Sequence, residues 1–210
     1  MKLLSVLGAL MGQGKQAKIF TDAQLRSILR HVDDRRGRYP ERDRVMVLLS
    51  AKAGLRAKEI SSLTWAMITD ADGVLADALH LPNIASKGGK NGKGGRTIPL
   101  HPDLHAALAV LMSTRTVAPT DHVIHSERGR SYGPTAIAVW FHRIYHELGL
   151  DGASSHSGRR TFITRAVRKI TEAGGSLRDV QQLAGHTSLA TTQRYIEGDS
   201  DAKRKVISLI

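Results

Sequence analysis

Residues 78–100, ALHLPNIASKGGKNGKGGRTIPL, break the pattern of the rest of the chain. Elsewhere apolar residues recur at three- and four-residue spacing, as on helices with one buried face. Here two short extended segments, ALHLPNIA and TIPL, flank a run of glycine and lysine. That reads as an antiparallel hairpin whose basic loop is longer than a tight turn. One hairpin in an otherwise helical chain sets the class as α+β: mostly α-helical with a small antiparallel β-sheet. Hydrophobic residues make up 41% of the 210, so a real core can be buried. Aromatics are only 4%, so that core is aliphatic, and binding by stacked aromatic platforms is weakly supported.

The helices can be placed from caps and spacing. Thr21 reads as an N-cap, with Asp22 in the first turn and Leu25, Ile28 and Leu29 inward. Pro40 opens a second helix with Val45, Met46, Leu48 and Leu49 buried, and Gly54 ends it. A short helix follows, with Leu55, Ile60 and Leu63 inward; another after Pro102 carries Leu104, Leu108 and Leu111. VIHS at 123–126 is a short strand or an extended crossing. Thr135 to Leu148 forms a strong helix through Ile137, Trp140, Phe141 and Ile144, with Tyr145 structural. Helices at about 158–173, 177–184, 188–196 and 201–209 complete the chain. Residues 1–18 read as an N-terminal segment and linker, and 19–210 as one domain. No apolar stretch nears the ~20 residues of a membrane span, and no small-residue cleavage site follows the apolar start. The absence of cysteine removes disulfides, thiolate metal sites and thiol nucleophiles, and suits a cytoplasmic setting.

Charge points to the partner. Thirty-one Lys and Arg against nineteen Asp and Glu leave +12, which favours a polyanion, most often nucleic acid. Four separated stretches then stand out: GLRAKE with Arg56 and Glu59, SKGGK with Lys87, SHSGRRTF with His156 and Arg159, and GHTSLATTQRY with His186 and Tyr195. Displacement at a phosphodiester builds charge on the non-bridging oxygens, and planar, permanently charged guanidinium groups stabilise it best. Two arginines from distant segments, Arg56 and Arg159, make a clamp. His156 lies three before Arg159, so the two share a face if a helix begins there, with Ser154 and Ser155 as caps. Tyr195 is either a half-buried packing residue or a nucleophile; a phenol ionises more readily than an aliphatic alcohol. The pairs His101/His105 and His142/His146 have metal-ligand spacing but no third ligand, and GGKNGKGG lacks the fixed spacing of a phosphate-binding loop.

Taken in this order, the four stretches resemble the tyrosine recombinase, or phage integrase, family over about residues 19–200. The resemblance implies a catalytic domain that cuts and rejoins double-stranded DNA without a metal, cofactor or small molecule. Tyr195 would attack a backbone phosphate, giving a 3′-phosphotyrosyl bond and a free 5′-hydroxyl. Arg56, Arg159 and His186 would hold the phosphate, His156 would assist proton transfer, and Lys87 would protonate the leaving oxygen. The loop before RTIPL is longer than is usual in the family, so Lys90 or Lys93 are alternatives for that lysine. Lys90, Lys93, Arg96 and Arg160 are expected to contact DNA. Glu59 takes the family's acidic position and would pair with a basic residue. The tail with Val206, Ile207 and Leu209 would either link protomers into a tetramer on DNA or pack on its own domain. The expected location is the cytoplasm, on the nucleoid when bound to DNA. Family members usually carry an N-terminal DNA-binding domain, for which the residues before the match leave no room. The expectation is therefore a short recombinase, one whose DNA binding a partner completes, or a remnant that binds without cutting. Two competing functions are a type IB topoisomerase and a non-catalytic DNA-binding regulator.

Overall fold

The computed structural model describes residues 17–34, 39–82, 95–126 and 131–195. Helix α1, Asp22–Asp34, starts in a reciprocal cap. The Thr21 hydroxyl accepts from the Gln24 backbone N–H, and the Gln24 side chain accepts from the Thr21 N–H. Its Leu25, Ile28 and Val32 face the core. Helix α2, Pro40–Lys52, is the central post, buried from Val45 to Ala51. A helix apolar all round must have neighbours all round, and α2 packs against α1, α4 (Pro102–Ser113) and α6 (Ser157–Lys169).

Beyond α2 the chain turns at Gly54, whose φ of 67° favours glycine. It enters α3, Ala57–Ser62, which lies on α5, Pro134–Glu147. A single 3₁₀ turn spans Trp65–Met67. Strands β1 (Ala78–Leu81) and β2 (Arg96–Pro99) form the antiparallel hairpin, pairing Leu79 with Ile98 and Leu81 with Arg96. Residues 123–126 are an extended crossing: His122 bridges Thr64 and His125 bridges Ser131. The buried Arg42 anchors this crossing, donating to the His125 carbonyl and to Asp43 while its guanidinium lies over the rings of Tyr39 and Tyr132.

Helix α7, Leu177–Ala184, and α8, Leu189–Gln193, follow. The main aliphatic core runs from Phe20 to Tyr145. A second, small cluster of Ile163, Val180 and Ala184, with Phe162 and Tyr195 against it, joins α7 and the segment after α8 to α6.

Two helix ends differ from expectation. Helix α6 stops at Lys169, not near 173, because the chain turns into Gly174 and Gly175, whose N–H groups bond back to Thr171 and Ile170. Helix α8 covers Leu189–Gln193, and Arg194 and Tyr195 form a turn after it. The expected helix at 201–209, the tail and the segment before residue 17 lie outside the described residues. Among the described residues no helix is long and apolar enough to cross a membrane.

Candidate active site

The site is built on three helix ends and one strand. Arg56 is the N-cap residue of α3. Its backbone N–H donates to Glu59 Oε2 at 2.8 Å and its side chain to Oε1 at 3.0 Å. Glu59 is fully buried. Burial opposes its ionisation, but the hydrogen bonds and charges of Arg96 and Arg56 outweigh this and hold its pKa below the ordinary carboxylate range. The structure thus pairs Glu59 with two basic residues.

His156, not Ser154 or Ser155, holds the N-cap position of α6, with no cap bond from its side chain, and Arg159 follows in the first turn. The Ser154 hydroxyl accepts from the His156 N–H, while the Ser157 side chain accepts from the Ser154 N–H. Small residues set this turn against α2: a Cβ on Gly158 would meet Ser50 Oγ at 2.3 Å. That approach brings Arg159 beneath the end of α2. Its guanidinium donates to the Gly54 carbonyl and, at 2.6 Å, to the Ala184 carbonyl. Only 5% of the residue is exposed. Burial and the charge of Arg56 lower its pKa to about 10, so it stays charged at neutral pH. Arg160, one position and about 100° further round α6, is half-buried and does not share that face.

His186 is placed by a helix C-terminus. Gly185, left-handed at φ 61°, closes α7 with its N–H on the Gln182 carbonyl and the His186 N–H on the Gln181 carbonyl. The Gln181 side chain returns a bond to the His186 carbonyl at 3.0 Å. His186 Nδ1 lies 2.9 Å from the hydroxyl of the buried Thr192. The Tyr195 ring stacks on the His186 ring, centroids 6.0 Å apart at 22°. Burial, then the charges of Arg159, Arg56 and Arg96, push the His186 pKa down to about 4. His156 is also held low, by desolvation and by Arg159 and Arg56.

Arg56, His156, Arg159, His186 and Tyr195, spread over 140 residues of chain, therefore converge. Glu59 and Arg159 form a buried floor; Arg56, with 28% of its side chain exposed, and the exposed His156 form a rim. Tyr195 is half-buried, against His186 and the second apolar cluster. From sequence, Arg96 is expected to face DNA; instead its side chain is 10% exposed and both terminal nitrogens bond Glu59, each at 2.9 Å. Lys87, Lys90 and Lys93 lie outside the described residues. Tyr145 is buried in the main core, where desolvation raises its pKa. His101 caps α4 by accepting from the Asp103 N–H, and the His142 and His146 rings stack on each other. Among the described residues no group of three or more His, Cys, Asp or Glu is placed to hold a metal ion. Thr192 and Gln181 fix the His186 ring and backbone; Thr192 lies within the GHTSLATTQRY stretch but is not among the residues singled out there, and Gln181 lies outside every motif.

The chain is similar to known proteins in sequence and in fold. The profile of the Phage integrase family matches residues 18–201. Tyrosine recombinase XerC of Brucella suis is 36% identical over 141 residues, covering 63% of this chain and 42% of that protein. Tyrosine recombinase XerA of Pyrococcus furiosus is 32% identical over 157 residues, covering 73% and 49%. The chain thus spans about half the length of the curated relatives it matches. In fold it is similar to the crystal structure of XerA recombinase, with a TM-score of 0.71 at 20% identity over 93% of this chain and 66% of that one. It is also similar to the Tn1549 transposon integrase in complex with a circular intermediate DNA, with a TM-score of 0.68 at 16% identity over 97% and 69%. With the family profile spanning nearly the whole chain over the segments that meet at this site, the chain belongs to the phage integrase family of tyrosine recombinases.

Proposed function

We propose that this chain is the catalytic domain of a site-specific DNA recombinase that cuts and rejoins double-stranded DNA through a 3′-phosphotyrosyl intermediate. The observation that carries the reading is the meeting of two guanidinium groups, two uncharged histidines and one phenol at a single partly open site. Support for DNA as substrate comes from the net charge of +12 and from the DNA-bound integrase of the same fold.

The Tyr195 Oη attacks phosphorus in line with the 5′-oxygen. The O–P bond to tyrosine forms as the P–O5′ bond breaks. Arg56 and Arg159 take the charge that develops on the non-bridging oxygens, where loss of one such donor costs about 10²–10³ in rate. In the tautomer whose Nδ1 accepts from the Thr192 hydroxyl, neutral His186 keeps an Nε2–H to donate to the same oxygens. His156 takes the phenolic proton. Lys87 gives one to the leaving 5′-oxygen, with Lys90 and Lys93 as the alternatives. A 5′-hydroxyl then attacks the phosphotyrosine and reverses each transfer. The bond energy is kept in the ester, so no cofactor is consumed. Lys90, Lys93 and Arg160 contribute phosphate contacts, which add affinity and no sequence preference.

The test starts from a duplex recovered from a randomised pool by retention on the protein, nicked beside the scissile phosphate so that cleaved product cannot religate. A denaturing gel should show a protein–DNA adduct in EDTA, and none with Tyr195→Phe. Tight binding without adduct would assign the chain to non-catalytic DNA binding, and relaxation of plasmids lacking the recovered site would assign it to a topoisomerase.

A further inference from the structure

Arg96 and Glu59 form a buried pair that the chemistry above leaves without a task. Glu59 receives four donors, two on each oxygen. Oε1 takes an Arg56 terminal nitrogen at 3.0 Å and Arg96 Nη1 at 2.9 Å. Oε2 takes the Arg56 backbone N–H at 2.8 Å and Arg96 Nη2 at 2.9 Å. The two-toothed, parallel fork therefore belongs to Arg96, and the Arg56 side chain reaches the carboxylate through one nitrogen. A carboxylate beside a single arginine frequently closes into such a fork with it. For Arg56 that would turn both terminal nitrogens to Glu59 and away from a ligand.

The setting of Arg96 reinforces this. It is the first residue of β2 and meets α3 through Glu59. It also lies against the turn that carries His186: a Cβ on Gly185 would stand 2.5 Å from Arg96 Nη1. Glycine at 185 thus satisfies both the left-handed turn and the guanidinium beside it. With its side chain 10% exposed, Arg96 is poorly placed to be a solvent-facing phosphate contact.

We propose that Arg96 is a positioning residue: by holding both oxygens of Glu59, it prevents that carboxylate from closing on Arg56 and keeps part of the Arg56 guanidinium open to a phosphate oxygen. This rests on the reading of Arg56 as a phosphate clamp. Lysine cannot replace Arg96 here, because an ammonium offers no fork.

The experiment compares wild type, Arg96→Ala, Arg96→Lys, Glu59→Gln and the double variant Arg96→Ala/Glu59→Gln on the selected duplex. Arg96→Ala should slow adduct formation at saturating DNA about 10-fold or more, with affinity and its salt dependence unchanged, and Arg96→Lys should not restore the rate. The double variant should be no slower than Arg96→Ala, since removing the carboxylate's charge releases Arg56. It also removes both partners together, so it serves where Arg96→Ala alone fails to fold. The proposal is overturned if affinity drops, the salt slope flattens by about one contact (~0.9) and the saturated rate holds. It is overturned equally if the two single losses multiply in the double variant. A crystal structure of Arg96→Ala, or of Arg96→Lys where the alanine variant does not fold, reads the same point without any cleavage. Glu59 rotated into a fork with Arg56 supports positioning even if the wild type proves unable to cut DNA, and Glu59 unmoved contradicts it.

Discussion

His156 sits near Arg159 and Arg56, and His186 near these two and Arg96, and each is harder to protonate than a histidine in water. For His186 the folded value is about 4 against an ordinary 6.5. The unfolded chain therefore binds a proton that the folded chain refuses. Stability from this residue is complete above pH 6.5 and is lost as pH falls towards 4. Urea midpoints should decline between pH 7 and pH 4.5, and His186→Asn should flatten that decline; an unchanged slope would mean the ring is not held neutral. His156 is the proposed acceptor of the phenolic proton, so it acts in its neutral form. The adduct-forming rate should rise with pH through a midpoint below 6.5 in the free chain. His156→Gln should remove that acid limb and lower the plateau about 10²-fold or more. A limb that survives the substitution would assign the proton transfer elsewhere. At this scale Arg56, His156, Arg159, His186 and Tyr195 were legible because their stretches, weak singly, stand in the order and internal spacing of a known family. Arg96 was not: an arginine beside a Gly/Lys loop looks solvent-facing, and its partner Glu59 lies 37 residues earlier.

Among the elements, helix starts were readable and helix ends less so. Thr21 with Asp22, Pro40 and Pro102 announce their helices through side-chain chemistry, and the Gln24 half of the first cap came from the structure. The end of α6 depends on which of several backbone turns the Gly174–Gly175 pair adopts, a choice that packing makes. The α2–α3 junction shows how an element end becomes part of the site. Gly54 turns the chain with φ 67°, its carbonyl receives Arg159, and its missing Cβ leaves room for the Phe162 ring. A methyl there would stand 2.4 Å from the ring. Gly54→Ala should therefore destabilise the fold by about 1–3 kcal/mol, read as a lower urea midpoint, and should slow adduct formation by disturbing Arg159. An unshifted midpoint would show that the junction is more forgiving than its geometry.

For the molecule as a whole, the class followed from the periodicity and the single hairpin, both properties of local sequence. The meeting of the three described motifs, those of Arg56, of His156 and Arg159, and of His186 and Tyr195, did not follow from spacing. It needs α6 laid on α2 through Ser157 and Gly158, and α7 held on α6 by a small apolar cluster separate from the main core. Tyr195 rests on that second cluster, so the proposed nucleophile stands on the smaller of the two buried clusters. Such regions open at lower free energy than a main core, which suits a group that must reach DNA. The most direct test is to isolate the protein–DNA adduct, digest it with nuclease and protease, and locate the residual nucleotide by mass spectrometry. A 3′-linked nucleotide on the peptide containing Tyr195 is the predicted result; a nucleotide on any other residue, or DNA held tightly with none attached, would contradict it.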